Sequence, residues 1–308
     1  MSALRFRSIR KSFGDRLVLD GLDLTIESAE VNGLLGPNGC GKSTAINILS
    51  NLLDPDSGTV ELAGQAASGE TKRFVGVCPQ EIALYRDLTP PENLRFFAEI
   101  YGLKRAEQAQ RVAELVRLFG LEPHARTPVG ALSGGWQRRV NIAVALVHAP
   151  AILVLDEPTA AVDVEARHDL WAMIEALRSG GTTILLTTHH LEEAERLCSR
   201  VGIMKDGRVA QEGSIAELLA LVPGRAVAVI ESADEAAVIR RAEELGWGLR
   251  RYAGRLGCLL PQQLSLRSVV DALSDVDVSS VSLQRVSLEH AYLEVTQGGS
   301  LPAEPRIG

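Results

Sequence analysis

The sequence is poor in cysteine and lacks any long apolar run, and each shortage excludes a class of protein. Its 308 residues include only four cysteines, scattered without the spacing of a metal site. We therefore expect reduced thiols in a cytosolic protein rather than a disulfide framework. No run approaches the roughly 18 apolar residues of a membrane span, and the first residues lack the apolar centre of a signal peptide. Any membrane role is expected to come through a partner.

The chain also lacks an excess of positive charge, because its formal net charge is −7. This balance argues against a general nucleic-acid-binding protein, so no nucleic-acid partner is predicted. Its hydrophobic content of 46% and charged content of 23% are those of an ordinary folded protein. The length is sufficient for one large domain and a small one.

The most informative stretch is a glycine-rich segment, which reads Gly36-Pro37-Asn38-Gly39-Cys40-Gly41-Lys42-Ser43-Thr44. It has the G-x-x-x-x-G-K-[ST] form of a phosphate-binding loop. Its backbone N–H groups can cradle a β-phosphate; Lys42 can reach the β- and γ-phosphates, and Ser43 can ligate Mg²⁺. An apolar strand at Val31–Leu35 precedes the loop and a helical pattern at Thr44–Leu53 follows it. This context favours a nucleotide site over a glycine-rich turn that binds nothing.

Two later strands are predicted to end in reactive side chains. Asp156 follows the apolar strand Ile152–Leu155, at the carboxyl edge of a parallel sheet, where it can hold Mg²⁺. Glu157 comes next and can orient or deprotonate an attacking water, although an acidic pair can also cap a helix. His189 follows the strand Thr183–Thr187, and a neutral imidazole there can bind a γ-phosphate and hold the base in place.

A further phosphate contact is predicted at the start of a helix, in Leu132-Ser133-Gly134-Gly135. Ser133 suits the N-cap position, and the two glycines allow close approach to the helix N-terminus. Taken alone, this segment is merely a helix start.

Together, these motifs resemble the nucleotide-binding subunit of an ABC transporter over about residues 3–220. By that resemblance, Phe13 is the A-loop aromatic that stacks on adenine, and the phosphate loop is Walker A. Gln80 is the Q-loop glutamine, which contacts Mg²⁺ and senses the membrane partner. Asp156 ends Walker B, and Glu157 is the catalytic carboxylate.

The remaining motifs of the family occur in the expected order. The segment from Ser133 through Gly134 to Gly135 matches the signature motif, Asp163 the D-loop and His189 the switch histidine. In the family, two cassettes face each other head to tail, so the signature residues would complete a partner's ATP site.

The resemblance implies an α/β fold: a P-loop NTPase cassette at residues 1–222, with a RecA-like core sheet, an antiparallel β subdomain and a helical subdomain at about 90–147. A small α+β ferredoxin-like accessory domain is expected at 223–296, from its β-α-β-β-α-β pattern, and a disordered tail at 297–308. ATP and Mg²⁺ are the implied cofactors. A second cassette, identical or related, and a separate polytopic transmembrane subunit are the implied partners. Such a protein is cytoplasmic and peripheral on the inner face of the cell membrane.

Three features depart from the family pattern. Trp136 follows the signature glycines where Gln or Met is usual, and Ala160-Ala161 replaces the usual start of the D-loop. Cys40 stands in the phosphate loop in place of a common alanine; it is either a small residue that fills space or a source of sensitivity to thiol reagents.

The runs Pro79–Leu94 and Ser287–Thr296 are similar to ABC-2 type exporters, including drug-resistance ATPases. Export is therefore predicted, with the segment from Gln80 to about Tyr101 at the docking groove for a membrane subunit. Two alternatives stay open: an importer ATPase with a solute-sensing C-terminal domain, and a soluble ABC ATPase acting on nucleic acid or ribosomes. A non-hydrolysing cassette is disfavoured because the catalytic positions are intact.

Overall fold

The computed structural model describes residues 2–68, 71–252 and 254–298. The chain divides into two compact units, Met1–Glu212 and Gly213–Gly308. Among the described residues, no helix is both long enough and apolar enough to cross a bilayer.

The elements alternate between strands and helices through much of the described chain. The strands are β1 (Ser2–Phe13), β2 (Arg16–Glu27), β3 (Val31–Leu35), β4 (Ser57–Leu62), β5 (Gln65–Ala66), β6 (Val75–Cys78), β7 (Ile152–Asp156), β8 (Thr183–Thr188), β9 (Arg200–Lys205), β10 (Arg208–Ser214), β11 (Ala226–Glu231), β12 (Gly248–Tyr252), β13 (Arg255–Leu260) and β14 (Ser280–Arg285). The α-helices are α1 (Lys42–Leu49), α2 (Pro90–Ile100), α3 (Arg105–Leu118), α4 (Gly134–Ala145), α5 (Val164–Ser179), α6 (Leu191–Leu197), α7 (Ile215–Leu219), α8 (Glu235–Glu244), α9 (Leu266–Ala272) and α10 (Leu288–Gln297). Short 3₁₀ helices lie at Thr71–Phe74, Glu122–His124 and Val129–Ala131.

A six-stranded sheet forms the centre of the first unit, in the order β10-β9-β3-β8-β7-β6. The pairs from β9 across to β6 are parallel. Every residue of β3 and the first four residues of β7 are buried, as the continuous apolar runs predicted. The parallel register brings the carboxyl ends of β3, β6, β7 and β8 to one edge of the sheet.

A second, antiparallel sheet has the order β2-β1-β4-β5 and packs on the central elements. Leu22, Leu24 and Ile26 stand two positions apart in β2 and are all buried, as on a strand with one face towards the core. They share one hydrophobic cluster with Ile46 of α1 and Val154 of β7. The antiparallel sheet, α1 and the central sheet are therefore held together by apolar burial.

Helix α1 is shorter than predicted and begins earlier. It starts at Lys42 rather than Thr44 and ends at Leu49 rather than Leu53. Asn51 has a left-handed backbone (φ 52°), and the amides of Asn51 and Leu52 donate back to the last turn. This is the Schellman arrangement that ends helices. The apolar spacing of residues 46–53 therefore extends past the true helix end.

The second unit contains an antiparallel sheet in the order β12-β13-β11-β14. The elements occur along the chain as β11-α8-β12-β13-α9-β14, and α10 follows. One apolar cluster joins Val238 of α8 and Val269 of α9 to the sheet through Ala228 and Cys258. This is the arrangement of a split β-α-β unit, with the helices covering one face of the sheet.

The second compact unit starts at Gly213 and includes α7, which contacts α10. The domain bounds 1–222 and 223–296 stay a prediction. Helix α10 continues through Gln297, the first residue of the predicted tail. The remaining tail positions, 299–308, lie outside the described residues.

A buried amide in the central sheet provides a test of the packing. The side chain of Asn32 in β3 is fully buried, and neither its Oδ1 nor its Nδ2 has a hydrogen-bond partner among the described residues. Such an amide costs about 1–3 kcal/mol. We expect Asn32→Val to raise the free energy of unfolding by about that amount, because valine is apolar and suits a strand. Urea unfolding measures the change. Asn32→Asp, which adds a buried charge, should lower the free energy of unfolding. If Asn32→Val is instead destabilised, the Asn32 amide is satisfied in the folded protein.

Candidate active site

Most of the predicted phosphate and catalytic residues meet around one cavity. The cavity has a volume of about 380 Å³ and lies at the carboxyl edge of the central sheet. Its lining residues are Arg16, Val18, Asn38, Gly39, Gly41, Lys42, Ser43, Thr44, Gln80, Asp156 and Glu157. They converge because the parallel register aligns the ends of four strands. Open α/β sheets bind ligands at this edge.

The phosphate loop depends on its glycines. Gly39 and Gly41 have φ values of 80° and 110°, which favour glycine. A Cβ at Gly41 would also lie 2.6 Å from the Leu19 side chain. The Nζ of Lys42 donates to the carbonyls of Gly36 (2.7 Å) and Pro37 (3.2 Å). The loop therefore holds its ammonium group beside the backbone turn that would carry phosphates.

Cys40 is a packing residue rather than a reactive thiol. Its Sγ lies 2.5 Å from where a Cβ on Gly36 would be, so the sulfur occupies the space that this glycine leaves. Burial raises the pKa of the Cys40 thiol, and the charge of Lys42 opposes the shift. The thiolate is thus disfavoured, which contradicts the expected sensitivity to thiol reagents. All four cysteines are buried free thiols.

Asp156 lies at the end of β7 in an unusual electrostatic setting. Burial raises the pKa of its carboxyl, and the charge of neighbouring Glu157 acts in the same direction. A hydrogen bond from the Thr187 hydroxyl and the charge of Lys42 oppose this rise. Thr187 sits directly opposite Asp156 in the register of β7 and β8. The sequence pattern predicts a strand at Thr187 but does not indicate this contact with Asp156.

Glu157 and His189, which the resemblance assigns as catalytic carboxylate and switch histidine, contact each other. The Nδ1 of His189 lies 2.9 Å from the Oε1 of Glu157. Because a carboxylate only accepts, Nδ1 carries the hydrogen of this bond. A hydrogen bond from Nε2 to a phosphate oxygen as well would require the doubly protonated ring, not the neutral imidazole of the sequence prediction. The pairing itself agrees with the prediction that His189 holds the base.

The backbone of Glu157 is strained. Its φ is 47°, in the left-handed region that non-glycine residues rarely adopt. Its amide donates to the Thr187 carbonyl (2.9 Å), and its carbonyl accepts from the Ala160 amide (3.1 Å). Such strain costs about 1–3 kcal/mol and is found at functional sites. It aims the Glu157 side chain across to His189.

A second buried carboxylate supports this turn and was missed from the sequence. Glu193 in α6 is fully buried. Its Oε1 accepts hydrogen bonds from the Thr159 hydroxyl (2.8 Å) and the Trp171 indole (3.1 Å). It therefore joins the segment after Glu157 to the helices that follow the D-loop and His189. The acidic run of α6 resembles an exposed helix face, so only the tertiary contacts reveal this role.

Several predicted ligand residues lie away from the cavity lining. Phe13 is the last residue of β1, and half of its surface is exposed. The adjacent residues Arg16 and Val18 line the cavity instead. Ser133 is at the N-cap of α4, but its side chain makes no capping hydrogen bond. Asp163 caps α5 by accepting from the Ala166 amide (2.8 Å).

The two signature glycines have different surroundings. Gly134 is exposed, and a Cβ added there would meet no atom within 4 Å. At Gly135, a Cβ would lie 2.7 Å from the Cβ of Ala166, so this glycine permits close packing of α4 on α5. Trp136 stacks beneath the guanidinium of Arg139, which lies 4.4 Å from the ring centroid.

Comparison with known proteins agrees with this geometry. A family model described as ABC transporter matches residues 19–160. The linearmycin resistance ATP-binding protein LnrL of Bacillus subtilis (strain 168) is 38% identical over 224 residues, which are 72% of each chain. The chain belongs to the ABC transporter ATP-binding family. The Nod factor export ATP-binding protein I of Cupriavidus metallidurans is 43% identical over 219 residues, covering 70% of this chain and 72% of that one.

Solved cassettes share the fold. Clostridium perfringens cbiO1, part of the ABC transporter complex cbiONQ, is 28% identical and has a TM-score of 0.67, covering 71% of this chain and 91% of the other. The dimeric ATP-binding cassette MJ0796, in a post-hydrolysis state with ADP and Pi, is 28% identical with a TM-score of 0.61 over 68% and 98% of the chains. The protein is an ATP-binding cassette with the ATPase activity of its family.

The oxygen atoms around the cavity of the cassette suit Mg²⁺. The lining includes the Ser43 hydroxyl, the Gln80 amide and the Asp156 carboxylate. Within the described ranges, no group of three or more His, Cys, Asp or Glu side chains is placed to hold a metal. Mg²⁺ is usually held by one or two carboxylates together with substrate phosphates, so this donor set fits it.

The charge of Asp156 has a predictable effect on stability. Because the folded state raises its pKa, ionised Asp156 lowers the free energy of unfolding near neutral pH. Asp156→Asn keeps an oxygen that can accept from Thr187 and removes the charge. We therefore expect a more stable nucleotide-free protein near neutral pH. The difference should vanish as pH falls towards about 3.9, where the unfolded chain is protonated too.

Urea unfolding at a series of pH values measures this effect. Asp56 provides a control of opposite sign, because a hydrogen bond from Lys11 lowers the pKa of its carboxyl. Asp56→Asn should therefore destabilise near neutral pH, and its effect too should fade in acid. An Asp156→Asn variant that is less stable at every pH would contradict the electrostatic account.

Proposed function

We propose that this cassette hydrolyses ATP to power an ABC-2 type exporter through a separate polytopic transmembrane subunit. The active-site cavity at the sheet edge carries the ATPase part of this proposal. Two relatives support the export part, since one is named for linearmycin resistance and the other for Nod factor export. The exporter-like runs after Gln80 and at Ser287–Thr296 point in the same direction.

The chain's own residues divide the chemistry. Lys42 and the phosphate-loop amides bind the β- and γ-phosphates, and the α1 N-terminus adds its positive dipole. Ser43, Gln80 and Asp156 would hold Mg²⁺, which supplies charge neutralisation between the phosphates. Glu157 positions the attacking water and takes its proton, while His189 holds the Glu157 carboxylate in place. Phe13 is proposed as the surface on which adenine stacks.

A second cassette completes each ATP site. Ser133 and Gly134 are exposed and lie outside the lining of the cavity in their own chain. The Ser133 hydroxyl does not cap its own helix. Both observations support a role in which the signature segment and Asp163 contact the nucleotide bound to a partner cassette. ATP binding then joins two chains, and loss of the γ-phosphate contact separates them.

An apolar surface beside Gln80 is the proposed docking site of the transmembrane subunit. A cavity of about 450 Å³ there is lined mainly by apolar residues of α1, β6 and the segment after it, with Leu52, Ala83 and Tyr101 among them. Leu52 is 74% exposed. Tyr85 and Ile100, which are close in sequence to the lining residues Ala83 and Tyr101, are at least half exposed. Exposed apolar clusters of this kind mark protein contacts. The cassette is accordingly proposed to be cytoplasmic and peripheral on the membrane.

Residues 223–296 are proposed as an accessory domain with its own hydrophobic core. That separate core supports folding as an independent unit. Capping of the cassette, dimerisation and the binding of a regulator remain its three candidate roles.

Lys42→Ala tests the nucleotide site. Loss of a charged hydrogen-bond donor should weaken ATP binding by about 10-fold to 100-fold and bring turnover close to background. Fluorescent-nucleotide titration and phosphate release measure the two effects. Lys104→Ala is the control, because Lys104 is an exposed lysine at the N-cap position of α3 and its side chain makes no capping hydrogen bond. Unchanged ATP affinity in Lys42→Ala would refute the phosphate-loop assignment.

Glu157→Gln tests both the chemistry and the partners. The amide cannot take the proton of the attacking water, so we expect turnover to fall by about 10²-fold to 10⁴-fold while ATP still binds. The variant should form a stable dimer with Mg-ATP, which size exclusion with light scattering detects. A monomer with normal turnover would contradict the assignment.

The same variant, tagged and purified with Mg-ATP from detergent-solubilised membranes of its host, identifies the partner by mass spectrometry. A single polytopic protein without an extracytoplasmic binding protein is the expected result for an exporter. A binding protein in the complex would establish an importer instead. Recovery with ribosomes or DNA, and no membrane protein, would overturn the transport assignment and leave the ATPase chemistry intact.

A further inference from the structure

A buried arginine links the signature helix to Gln80. Arg138 lies in the second turn of α4, five residues after Ser133, and only 3% of its surface is exposed. Its Nη1 donates to the carbonyl of Pro79 (2.7 Å), and its Nη2 donates to the carbonyl of Gln80 (2.5 Å). The guanidinium of Arg138 therefore binds the carbonyls of both Pro79 and Gln80, and Gln80 lines the cavity. Nothing in the sequence distinguishes Arg138, which stands beside a second arginine in an ordinary-looking helix.

Two further contacts hold α4 against the same segment. Asn141, one turn after Arg138, is buried, and its Nδ2 donates to the Cys78 Sγ (3.3 Å) and the Pro79 carbonyl (3.4 Å). At Gly76 in β6, a Cβ would lie 2.0 Å from the carbonyl oxygen of Ala145. Helix α4 thus contacts β6 and its extension at three successive levels. Such close packing does not deform continuously, so the two segments are expected to move together.

The chemistry of arginine suits this task. A buried charge is costly unless it is hydrogen-bonded, and Arg138 meets this need with backbone carbonyls at Nη1 and Nη2, whereas its buried Nε has no hydrogen-bond partner among the described residues. The planar fork of a guanidinium can hold two acceptors at once, whereas a lysine presents a single compact charge. The positive charge of Arg138 also acts on the Asp156 carboxyl, lowering its pKa against the effect of burial. The Arg138 side chain therefore hydrogen-bonds the Gln80 carbonyl and also acts electrostatically on the Asp156 carboxyl.

We propose that Arg138 is a positioning residue that couples the signature segment Ser133–Gly135 to Gln80. The two phosphate-recognition elements lie at the two ends of one rigid piece. A movement of α4 towards a partner's nucleotide then carries Gln80 relative to the chain's own nucleotide. This inference rests on the proposed roles of Gln80 and the signature segment in ATP binding.

The first test needs no ATP and no transport. Hydrogen–deuterium exchange of peptides covering residues 75–84 is compared in wild type, Arg138→Gln and Arg138→Lys. We expect exchange in Arg138→Gln to be about tenfold faster or more, as the loss of charged hydrogen bonds implies. Arg138→Lys should lie between the two, because it keeps the charge and loses the fork.

Arg139→Gln is the matched control on the same helix. Arg139 pairs with Asp169 (2.5 Å) and, within the described part of the chain, forms no hydrogen bond or ion pair with residues 75–80. It removes the same charge from the next position, so exchange in residues 75–84 should not change. Thermal unfolding of each variant establishes that the fold is retained. Equal exchange in wild type and both Arg138 variants would overturn the proposal.

The second test asks whether Arg138 acts through Gln80. We expect Arg138→Gln to raise the Mg²⁺ concentration needed for half-maximal nucleotide binding by about 10-fold or more, the usual effect of removing a residue that orients a ligand. In a Gln80→Ala background, the same substitution should add less than about twofold, since interacting residues are non-additive. Fully additive effects would overturn the coupling.

The proposed nucleotide site and the proposed coupling through Arg138 can be tested separately. If Lys42→Ala leaves ATP binding unchanged, the proposed nucleotide site fails, whatever the exchange experiment shows. If Lys42→Ala abolishes binding but Arg138→Gln changes neither exchange nor the Mg²⁺ requirement, only the coupling fails.

Discussion

The parallel register of the central sheet is the constraint on which the active site depends. It aligns the carboxyl ends of β3, β6, β7 and β8 at one edge. Each strand then delivers one component: the phosphate loop, Gln80, the Asp156–Glu157 pair or His189. A parallel sheet requires a crossover between neighbouring strands, which is why residues as far apart as 38 and 157 in the chain line one cavity.

Buried charge is the second organising feature, and each charged group is held by partners from a different part of the chain. Asp156 receives a hydrogen bond from Thr187 across the sheet, and Glu193 receives two from Thr159 and Trp171. Arg138 is stabilised by carbonyls of the Pro79–Gln80 peptide. Because unpartnered charges are costly in a protein interior, these contacts define the geometry around the cavity closely.

In the proposed pair of cassettes, the ATP-binding residues are divided between two faces of each chain. The phosphate loop and catalytic acids line one cavity, whereas the exposed start of α4 lies outside that lining. If a partner's nucleotide meets that start, the free energy of ATP binding is spent on association of two chains. Because α4 is coupled to Gln80, one rigid element of each chain would contact both its own nucleotide and that of its partner.

The sequence by itself determined the phosphate loop, most strands, the order of motifs and the family, because these are local patterns of side chains and backbone conformation. Even the early end of α1 is local, since Asn51 adopts a left-handed turn. Only the tertiary structure decided the strained backbone of Glu157 and the buried position of Cys40. It also decided the hydrogen bonds that Thr187 and Glu193 form, and the linkage of Arg138 to Gln80. The hydrogen bonds of Thr187, Glu193 and Arg138 join residues 22 to 59 positions apart in the chain. Periodicity along a chain constrains only near neighbours, so a helix arginine or a strand threonine carries no signal of what the folded sheet brings against it.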